Sequence, residues 1–345
     1  MPQKTFNLIK LHFKAPLHIS SGKEEYGSTN EILPSDALKS AIFAASLQLY
    51  GDEANEDFFR DFKVSSAFPF FKDEYFFPKP FVKLPFAIKE HQNEEAVEAK
   101  MLKKVRYLGK NFFEETLRKG NAENDKRGLS TDNIPKDPFL TDHPDREEIQ
   151  KQGLFKKEQH PRVAIPPWDS ADETDPFYME KLYFRENCGL FFALEAHDES
   201  LKKAKSALRL LADQGIGSDR NVGNGHFTFE EAELSLQVPE DGTHQVALSL
   251  FCPQKEEIND EFLNNSNYEL MKRGGYLASP KKEDFMSYRK KSVFMFSEGS
   301  IFPDYGLNGK YVDLKPEVDN GESPDHPVWR DGRPITLPIK VVENA

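Results

Sequence analysis

The sequence contains very little cysteine and no long apolar run. Among its 345 residues, Cys188 and Cys252 are the only cysteines, and neither has a partner at metal-ligand spacing. Each lies in or beside an apolar, strand-like stretch, so we expect two buried free thiols in a reducing cytoplasm. No apolar run approaches the ~18 residues of a membrane helix, and Met1–Lys4 lacks the features of a signal peptide. These absences argue against disulfide-rich secreted and membrane-spanning proteins.

Motifs of common catalytic and cofactor sites are also missing. The nine histidines form neither H-E-x-x-H nor H-x-H, and no C-x-x-C occurs, so we predict no metal site and no cofactor. The sequence has no G-x-S-x-G nucleophile motif and no G-x-x-x-x-G-K-[ST] phosphate loop. It therefore gives no support for a metalloenzyme, a serine hydrolase or a P-loop nucleotidase.

The charge is acidic overall but unevenly distributed. The formal net charge is −12, which argues against generic nucleic-acid binding. Basic residues are nevertheless concentrated at 202–226 and 270–295, whereas acidic residues are concentrated at 52–61, 230–241 and 317–325. This distribution is typical of a subunit that touches nucleic acid on one face. Solvated charged faces are the alternative for each basic tract.

A glycine-rich run at residues 215–227 follows an amphipathic helical pattern. It reads G-I-G-S-D-R-N-V-G-N-G-H-F, with two G-x-G pairs on either side of a polar segment that carries Arg220. Glycine reaches positive φ without steric cost, so such a loop can direct several N–H groups at one anion. The first pair follows a helix and lacks the third glycine of the dinucleotide fingerprint. We interpret the run as a phosphate-binding loop; a plain flexible connection is the alternative.

Apolar periodicity predicts an α+β fold. A strand at Phe6–Phe13 precedes a helix of about 14 residues with Ser35 as its N-cap. A second helix carries apolar residues from Leu201 to Leu211 and ends at Gly215, and a strand at Phe227–Leu236 follows the glycine run. With further strands between the helices, the order is that of a ferredoxin-like βαββαβ unit.

Three stretches between these elements have their own predictions. The prolines of 68–86 predict short edge strands and turns. Apolar residues at helical spacing predict one helix over 94–117. Leu182–Phe184 and Leu190–Leu194 predict a strand pair around the turn at 186–189.

The domain boundary is predicted at the Pro239–Gly242 turn. We expect an N-terminal domain at 1–238, with a polar insertion at about 119–165, and a smaller second domain at 239–345. A polar excursion of that length within a compact domain points to a functional or disordered segment.

Two histidines lie where they could serve RNA chemistry. His18 follows the first strand, and His226 ends the glycine run. An endoribonuclease needs a general base and a general acid, and two histidines with pKa values near neutrality could provide both. The alternatives are polar loop residues or RNA binding without cleavage.

Several short segments, in order along nearly the whole chain, resemble RAMP proteins of CRISPR effector complexes, and among them the Csm4 family of type III-A (Csm) complexes. Besides the glycine run, the segments are Leu33–Leu38, Phe76–Pro80, His160–Val163, Pro176–Tyr178, Arg273–Tyr276, Lys290–Phe302 and His326–Gly332. The corresponding type III-B family has a similar plan, so the subtype is left open.

The resemblance implies two ferredoxin-like (RRM-like) domains with a protruding thumb hairpin. It implies that the chain caps the 5′ repeat-derived tag of the crRNA, with the glycine run on the phosphates. It also implies docking to the large polymerase-like subunit and to the adjacent backbone subunit that cuts target RNA, without catalysis by this chain. A repeat-processing endoribonuclease of the same superfamily and a protein scaffold without RNA contact are the alternatives.

We expect the RNA contacts to come chiefly from the glycine run. Its glycines would offer N–H groups and close approach, Arg220 a charge-assisted hydrogen bond to phosphate, and the neighbouring polar side chains contacts to sugar or base. Further candidates lie near the end of the first strand, in the first helix and in the His160–Val163 segment. The predicted RNA-binding set is Gly215, Gly217, Ser218, Arg220, Asn221, Gly223, Gly225, His226, His18, Ser20, Lys39 and Arg162.

Overall fold

The computed structural model describes residues 2–20, 27–88, 95–121, 126–134, 138–163, 176–277, 288–317, 324 and 326–341. Both helices and strands are present, as predicted. The strands before residue 239 are β1 (Gln3–Phe13), β2 (Lys63–Val64), β3 (Phe68–Phe71), β4 (Glu74–Pro78), β5 (Phe86–Ile88), β6 (Tyr107–Gly109), β7 (Arg127–Leu129), β8 (Phe139–Leu140), β9 (Phe155–Val163), β10 (Pro176–Phe184), β11 (Cys188–Glu195) and β12 (Phe227–Gln237).

The helices of this part are α1 (Ser35–Tyr50), α2 (Glu56–Asp61), α3 (Glu95–Lys104), α4 (Lys110–Lys119), α5 (Arg146–Gln152) and α6 (Asp198–Gln214). After residue 238 follow β13 (His244–Ala247), α7 (Asp260–Asn264), β14 (Leu270–Arg273), β15 (Val293–Phe296), β16 (Ile301–Pro303), β17 (Tyr311–Asp313), β18 (Trp329–Asp331) and β19 (Thr336–Ile339).

The largest sheet places β1 between β12 and β11. Its strand order is β12-β1-β11-β3-β4-β6-β8, with β2 also paired to β11. β1 runs antiparallel to both neighbours, and Phe13 at its end pairs with Phe227 at the start of β12. α1 and α6 pack their apolar stripes, including Leu38 and Leu208, against the strands. The loop between α6 and β12 therefore lies beside the end of β1.

A second apolar cluster, rich in phenylalanine, includes residues of the large sheet, α4 and the C-terminal strands. Phe77 of β4 stacks on Phe113 of α4 with ring centroids 4.5 Å apart. Val246 of β13 and Leu337 of β19 belong to the same buried cluster. Burial of this apolar surface attaches the C-terminal part to the first part of the chain.

β9 and β10 form a two-stranded antiparallel hairpin. Their register runs from Phe155 opposite Phe184 to Val163 opposite Pro176. Toward the loop end, Val163 and Tyr178 are 55% and 60% exposed, so the hairpin leaves apolar side chains uncovered there. At its other end Leu182 bridges to Leu17, next to the end of β1. The predicted insertion tip at 164–165 lies outside the described residues.

Tertiary pairing overturns three local predictions. The helix predicted over 94–117 is α3 and α4 with β6 between them, because Tyr107–Gly109 pairs with β4 and β8. β10 and β11 do not pair with each other, since β10 pairs with β9, and β11 pairs with β1 and β3. β3 is not an edge strand, because it lies between β11 and β4. Its pairing with β4 begins at Phe70, so the missing N–H of Pro69 interrupts no hydrogen bond between β3 and β4.

Ser35 is not the N-cap of α1. The helix begins at Ser35 itself, after Pro34, and no side chain caps it. The Ser35 hydroxyl instead accepts a hydrogen bond from the backbone N–H of Leu250, at 3.0 Å. The serine thus joins α1 to the C-terminal part, a use that local propensity does not reveal.

The C-terminal part consists mainly of short strands. β16, β13 and β19 form one sheet, and β14–β15 and β17–β18 form two ribbons. In the described part of this region, the five-residue α7 is the only α-helix, so a ferredoxin-like plan there stays a prediction. Over all described residues, no helix is long and apolar enough to cross a membrane, and no three His, Cys, Asp or Glu side chains cluster as metal ligands.

Candidate functional site

The glycine loop, residues 215–226, has a folded backbone of its own. The N–H of Gly215 ends α6 by donating to the Leu211 carbonyl at 2.8 Å. Gly215, Gly217, Gly223 and Gly225 have φ values of 79°, 88°, 84° and 73°. Because side-chain-bearing residues rarely adopt such values, these positions favour glycine. The loop is therefore a specific conformation and not a plain flexible link.

Three of these glycines are also required by close packing. A Cβ atom on Gly215 would lie 2.4 Å from the carbonyl oxygen of Asn224, and one on Gly225 would lie 1.9 Å from that of Ile216. A Cβ on Gly217 would lie 2.5 Å from the His18 carbonyl oxygen. At Gly223, by contrast, nothing lies within 4 Å. The first three glycines hold the loop against itself and against His18, in the segment that follows β1.

The predicted role of the glycines as N–H donors needs correction. The N–H groups of Gly215, Gly223 and Gly225 already donate to the carbonyls of Leu211, Arg220 and Pro16. Within the described part of the chain, no acceptor is found for the N–H groups of Gly217 or of residues 219–221. The available donors are therefore Gly217 and residues 219–221 of the polar segment, because the N–H groups of the other three glycines are used within the fold.

The exposed tip of the loop carries one cation. Arg220, Asn221, Val222 and Gly223 are exposed, as is Gly217. Among the described residues, no carboxylate pairs with Arg220 and no acceptor takes a hydrogen bond from it. A solvent-facing guanidinium next to open backbone N–H groups is suited to a phosphate oxyanion.

The hairpin adds two further cations beside the loop. Arg162 of β9 donates a hydrogen bond from Nη2 to the carboxylate of Asp219. Lys181 of β10 lies 3.4 Å from Oδ1 of Asn224 and is largely buried. Burial and the nearby Arg162 guanidinium lower the pKa of Lys181, although Asp219 opposes this shift. Lys181 was missed from the sequence, because it and Asn224 lie 43 positions apart and no local pattern joins them.

Two predicted RNA-binding side chains are buried. His18 is 1% exposed, and its Nδ1 lies 2.7 Å from the carbonyl oxygen of Glu180. Lys39 is also 1% exposed, with its ammonium bonded to Asp331 and to the Phe62 carbonyl. Neither side chain is accessible to RNA in this conformation, so Lys39 and the imidazole of His18 are removed from the site. The carbonyl of His18 stabilises the glycine loop, because it accepts a hydrogen bond from the N–H of Ser218 at 3.0 Å.

The remaining predicted residues lie around the loop. Ser20 is exposed, and its carbonyl accepts a hydrogen bond from Asn30 at 3.2 Å. His226 is half-buried, and its carbonyl accepts the N–H of Lys14 at the end of β1. The structure therefore brings together the glycine loop, Arg162 and the end of β1.

Comparison with known proteins first identifies the class. The RAMP superfamily matches residues 10–228, which contain the large sheet, the hairpin and the glycine loop. In fold, the chain is similar to a crystal structure of a Csm3–Csm4 subcomplex of the type III-A CRISPR-Cas interference complex, with a TM-score of 0.63 and 19% identity over 97% of this chain and 100% of that one. A Csm1–Csm4 cassette in complex with cA4 gives a TM-score of 0.61 and 21% identity over 99% and 100%.

A second family model, which matches the C-terminal part, and two related proteins identify the family within this class. The CRISPR Csm4 C-terminal domain matches residues 240–339. A protein of Methanocaldococcus jannaschii named "CRISPR system Cms protein Csm4" is 24% identical over 96% of both chains. A protein of the same name from Thermococcus onnurineus is 27% identical over 80% of this chain and 83% of its own. The chain belongs to the RAMP superfamily and, within it, to the Csm4 family.

Proposed function

We propose that this chain is a non-catalytic crRNA-binding subunit of a type III-A CRISPR effector (Csm) complex. It caps the 5′ repeat-derived tag of the crRNA with the tip of the glycine loop, and the cations of the hairpin stand beside that contact. The observation that carries this proposal is Arg220, exposed and without a partner among the described residues, on a loop whose backbone is fixed by tight packing.

The chemistry of the tip favours phosphate over base recognition. Arg220 and the unbonded N–H groups of residues 219–221 are donors, and donors bind phosphate oxygens without reading sequence. Asn221 and His226 remain the side chains proposed for sugar or base contacts, with Ser218 beside them and Ser20 in the segment that follows β1. Arg162 reaches the RNA when its bond to Asp219 is exchanged for a phosphate.

Ferredoxin-like organisation belongs to the same proposal. The order β12-β1-β11-β3, with α1 and α6 on one face, supports a βαββαβ unit within residues 1–238. The β9–β10 hairpin is the proposed thumb, and 239–345 is proposed as a second, reduced unit of the same kind. The cytoplasmic location predicted from the cysteine content is part of the proposal as well.

The proposed protein partners are the large polymerase-like subunit and the adjacent backbone RAMP subunit. The similar folds come from structures with Csm1 and with Csm3, which supports one partner of each kind. Non-catalytic character is supported by the burial of His18, because a general base must reach the 2′-OH from which it takes the proton.

The test measures the binding of a 5′-tagged crRNA and of an untagged RNA of equal length, at two salt concentrations. The full chain is used with its co-purified polymerase-like partner. We expect tag-dependent binding that weakens about tenfold or more in Arg220→Ala, as for the loss of one charge-assisted hydrogen bond. The slope of log affinity against log salt should become shallower by roughly 0.7.

Arg209→Ala is the matched control, because Arg209 is an exposed arginine on α6 in the same basic tract. If both variants lose the same affinity, the tract acts only through its total charge and the loop assignment is wrong. Equal binding of both RNAs, or none, would favour a protein scaffold. Shortening of the RNA without metal, abolished by His18→Ala or His226→Ala, would favour the endoribonuclease.

A further inference from the structure

Buried charges join α1 to the C-terminal part of the chain, away from the glycine loop in sequence. Asp36 is fully buried and accepts two hydrogen bonds from Arg273, at 2.9 and 3.0 Å. One turn further along α1, Lys39 is paired with Asp331. Three segments singled out from the sequence, Leu33–Leu38, Arg273–Tyr276 and His326–Gly332, therefore meet at one place. The proposed RNA contact does not use this place.

Positive charge is in excess at this junction. Six basic side chains interact there with three carboxyl groups, which gives a net charge of +3 when all are ionised. They are Lys39, Lys63, Arg273, Lys290, Arg330 and Arg333, together with Asp36, Glu298 and Asp331. Burial raises the pKa of Glu298, which favours its neutral form, and it lowers the pKa of Lys39 and of Lys290 to about 7, so that loss of their protons offsets part of the excess. Such a surplus in a chain with a net charge of −12 is costly unless an anion balances it.

The N–H donors of the Arg330 guanidinium are only weakly hydrogen-bonded. Its Nη1 lies 3.5 Å from both Oγ of Ser40 and a carboxylate oxygen of Asp36, and its Nη2 lies 3.4 Å from the Gly274 carbonyl oxygen. These contacts are at the long limit for hydrogen bonds. Its Nε is buried and finds no acceptor among the described residues. A buried guanidinium with one unmet and three long contacts is incompletely satisfied.

Lys290 is the second cation at this junction whose charged group makes few contacts with the described residues. Its backbone N–H donates to the Gly275 carbonyl at 2.9 Å, next to the Gly274 that Arg330 contacts. Nothing in the described part of the chain accepts a hydrogen bond from its ammonium or forms an ion pair with it. Burial and the Arg330 guanidinium lower the pKa of Lys290 to about 7, although Asp36 opposes this shift. An anion here would restore the charge of the amine.

We propose that Lys290 and Arg330 form a binding site for a phosphate-type oxyanion at the junction of α1, β18 and the segment before β15. Arg273 is already occupied by the planar carboxylate of Asp36 and acts as a positioning residue. The remaining donors come from different elements, which suits a tetrahedral oxyanion better than a second carboxylate. The phosphate belongs either to an RNA backbone or to a free nucleotide, and the site does not require the glycine loop.

The first experiment probes the wild-type full chain with inorganic phosphate, at constant ionic strength and with chloride as the reference anion. Lysines are acylated with an N-hydroxysuccinimide ester and quantified by mass spectrometry. We expect phosphate to protect Lys290 severalfold but to leave Lys291 unchanged. Lys291 is the internal control, because it is exposed and paired with Glu317. Equal reactivity of Lys290 in both anions overturns the proposal.

The second experiment follows the thermal stabilisation by phosphate in Lys290→Gln, Lys290→Arg and the control Lys291→Gln. Lys290→Gln should weaken the apparent phosphate affinity about tenfold or more, as expected for one charge-assisted hydrogen bond. Lys290→Arg and Lys291→Gln should retain it. Unchanged phosphate affinity in Lys290→Gln contradicts the site. If that variant does not fold, the acylation result decides alone.

RNA binding by the same variants distinguishes the source of the phosphate. A parallel loss of crRNA affinity in Lys290→Gln assigns the site to an RNA phosphate. Loss of the phosphate response with unchanged crRNA affinity assigns it to a free nucleotide phosphate. The proposed function at the glycine loop is tested separately by Arg220→Ala, so failure of one proposal leaves the other standing.

Discussion

Arg162 of the hairpin donates a hydrogen bond to Asp219 at the start of the exposed segment of the glycine loop. Asp219 has a left-handed backbone, with φ 61° and ψ 29°, and both side chains remain about one-third exposed. The pair fixes the base of the loop against β9. It also places a carboxylate where the proposed phosphate would approach, so Asp219 competes with RNA for Arg162.

Replacing Asp219 by asparagine should therefore strengthen RNA binding. Asparagine tolerates the left-handed backbone and removes the charge that holds Arg162. We expect a gain in crRNA affinity of about two- to fivefold, the value of a partly exposed ion pair, and a steeper dependence on salt. Asp213→Asn, at an exposed acid near the end of α6, is the control. A loss of affinity in Asp219→Asn would show that the pair serves only to order the loop.

The glycines of the loop should differ strongly in their tolerance of alanine. In Gly223→Ala the added Cβ has no neighbour within 4 Å, and only the φ of 84° is unfavourable. The substitution should therefore cost about 1–2 kcal/mol of stability. Gly225→Ala adds a contact of 1.9 Å with a backbone oxygen and should cost about 3 kcal/mol or more. Thermal unfolding of the two variants measures the difference. Equal costs would contradict the packing described for Gly225.

The buried pair of Lys39 and Asp331 should respond asymmetrically to mutation. Asp331→Asn leaves both Lys39 and the Arg333 guanidinium, which cannot lose its proton, without their carboxylate, and should cost about 3–5 kcal/mol. Lys39→Met should cost less, because Arg333 still donates to Asp331 at 2.8 and 2.9 Å. Melting temperatures of both variants and of the double variant give the coupling between them. A larger loss in Lys39→Met than in Asp331→Asn would contradict this account.

Glu74 should make the protein less stable as the pH rises. Burial and the nearby Asp142 raise the pKa of Glu74 to about 7 from 4.5. A carboxyl whose folded pKa is raised contributes stability below pH 4.5, and that stability is lost as the pH rises to about 7. The loss relative to Glu74→Gln should be roughly 3 kcal/mol.

Unfolding of wild type and Glu74→Gln from pH 5 to 8 measures this difference. The glutamine keeps an oxygen that can accept from the Lys110 N–H and the Thr141 hydroxyl, which now donate at 3.1 and 3.3 Å. Glu147→Gln, at an exposed carboxylate of α5, is the control. Parallel pH profiles of Glu74→Gln and wild type would show that Glu74 keeps an ordinary pKa.

The helices with clear amphipathic patterns were predicted well, and the short elements were not. α1 and α6 appear near their predicted positions because their apolar stripes are local properties of the chain. β6 was missed because three residues carry no measurable period, and only pairing with β4 and β8 makes them a strand. The pairing of β10 with β11 was wrong for another reason: the two strands are neighbours in sequence, but β10 pairs with β9.

The sequence by itself determined the glycine loop, its place between α6 and β12, and the family to which its motifs point. Those features depend on residue type and order, and glycine at a positive φ is the clearest case. Only the tertiary structure decided which side chains are available to a ligand. It buried Lys39 and His18, engaged the N–H groups of three glycines, and brought the backbone of Lys290 to Gly275, next to the Gly274 carbonyl that Arg330 contacts. Burial and charge balance depend on contacts between residues far apart in sequence, which no local pattern encodes.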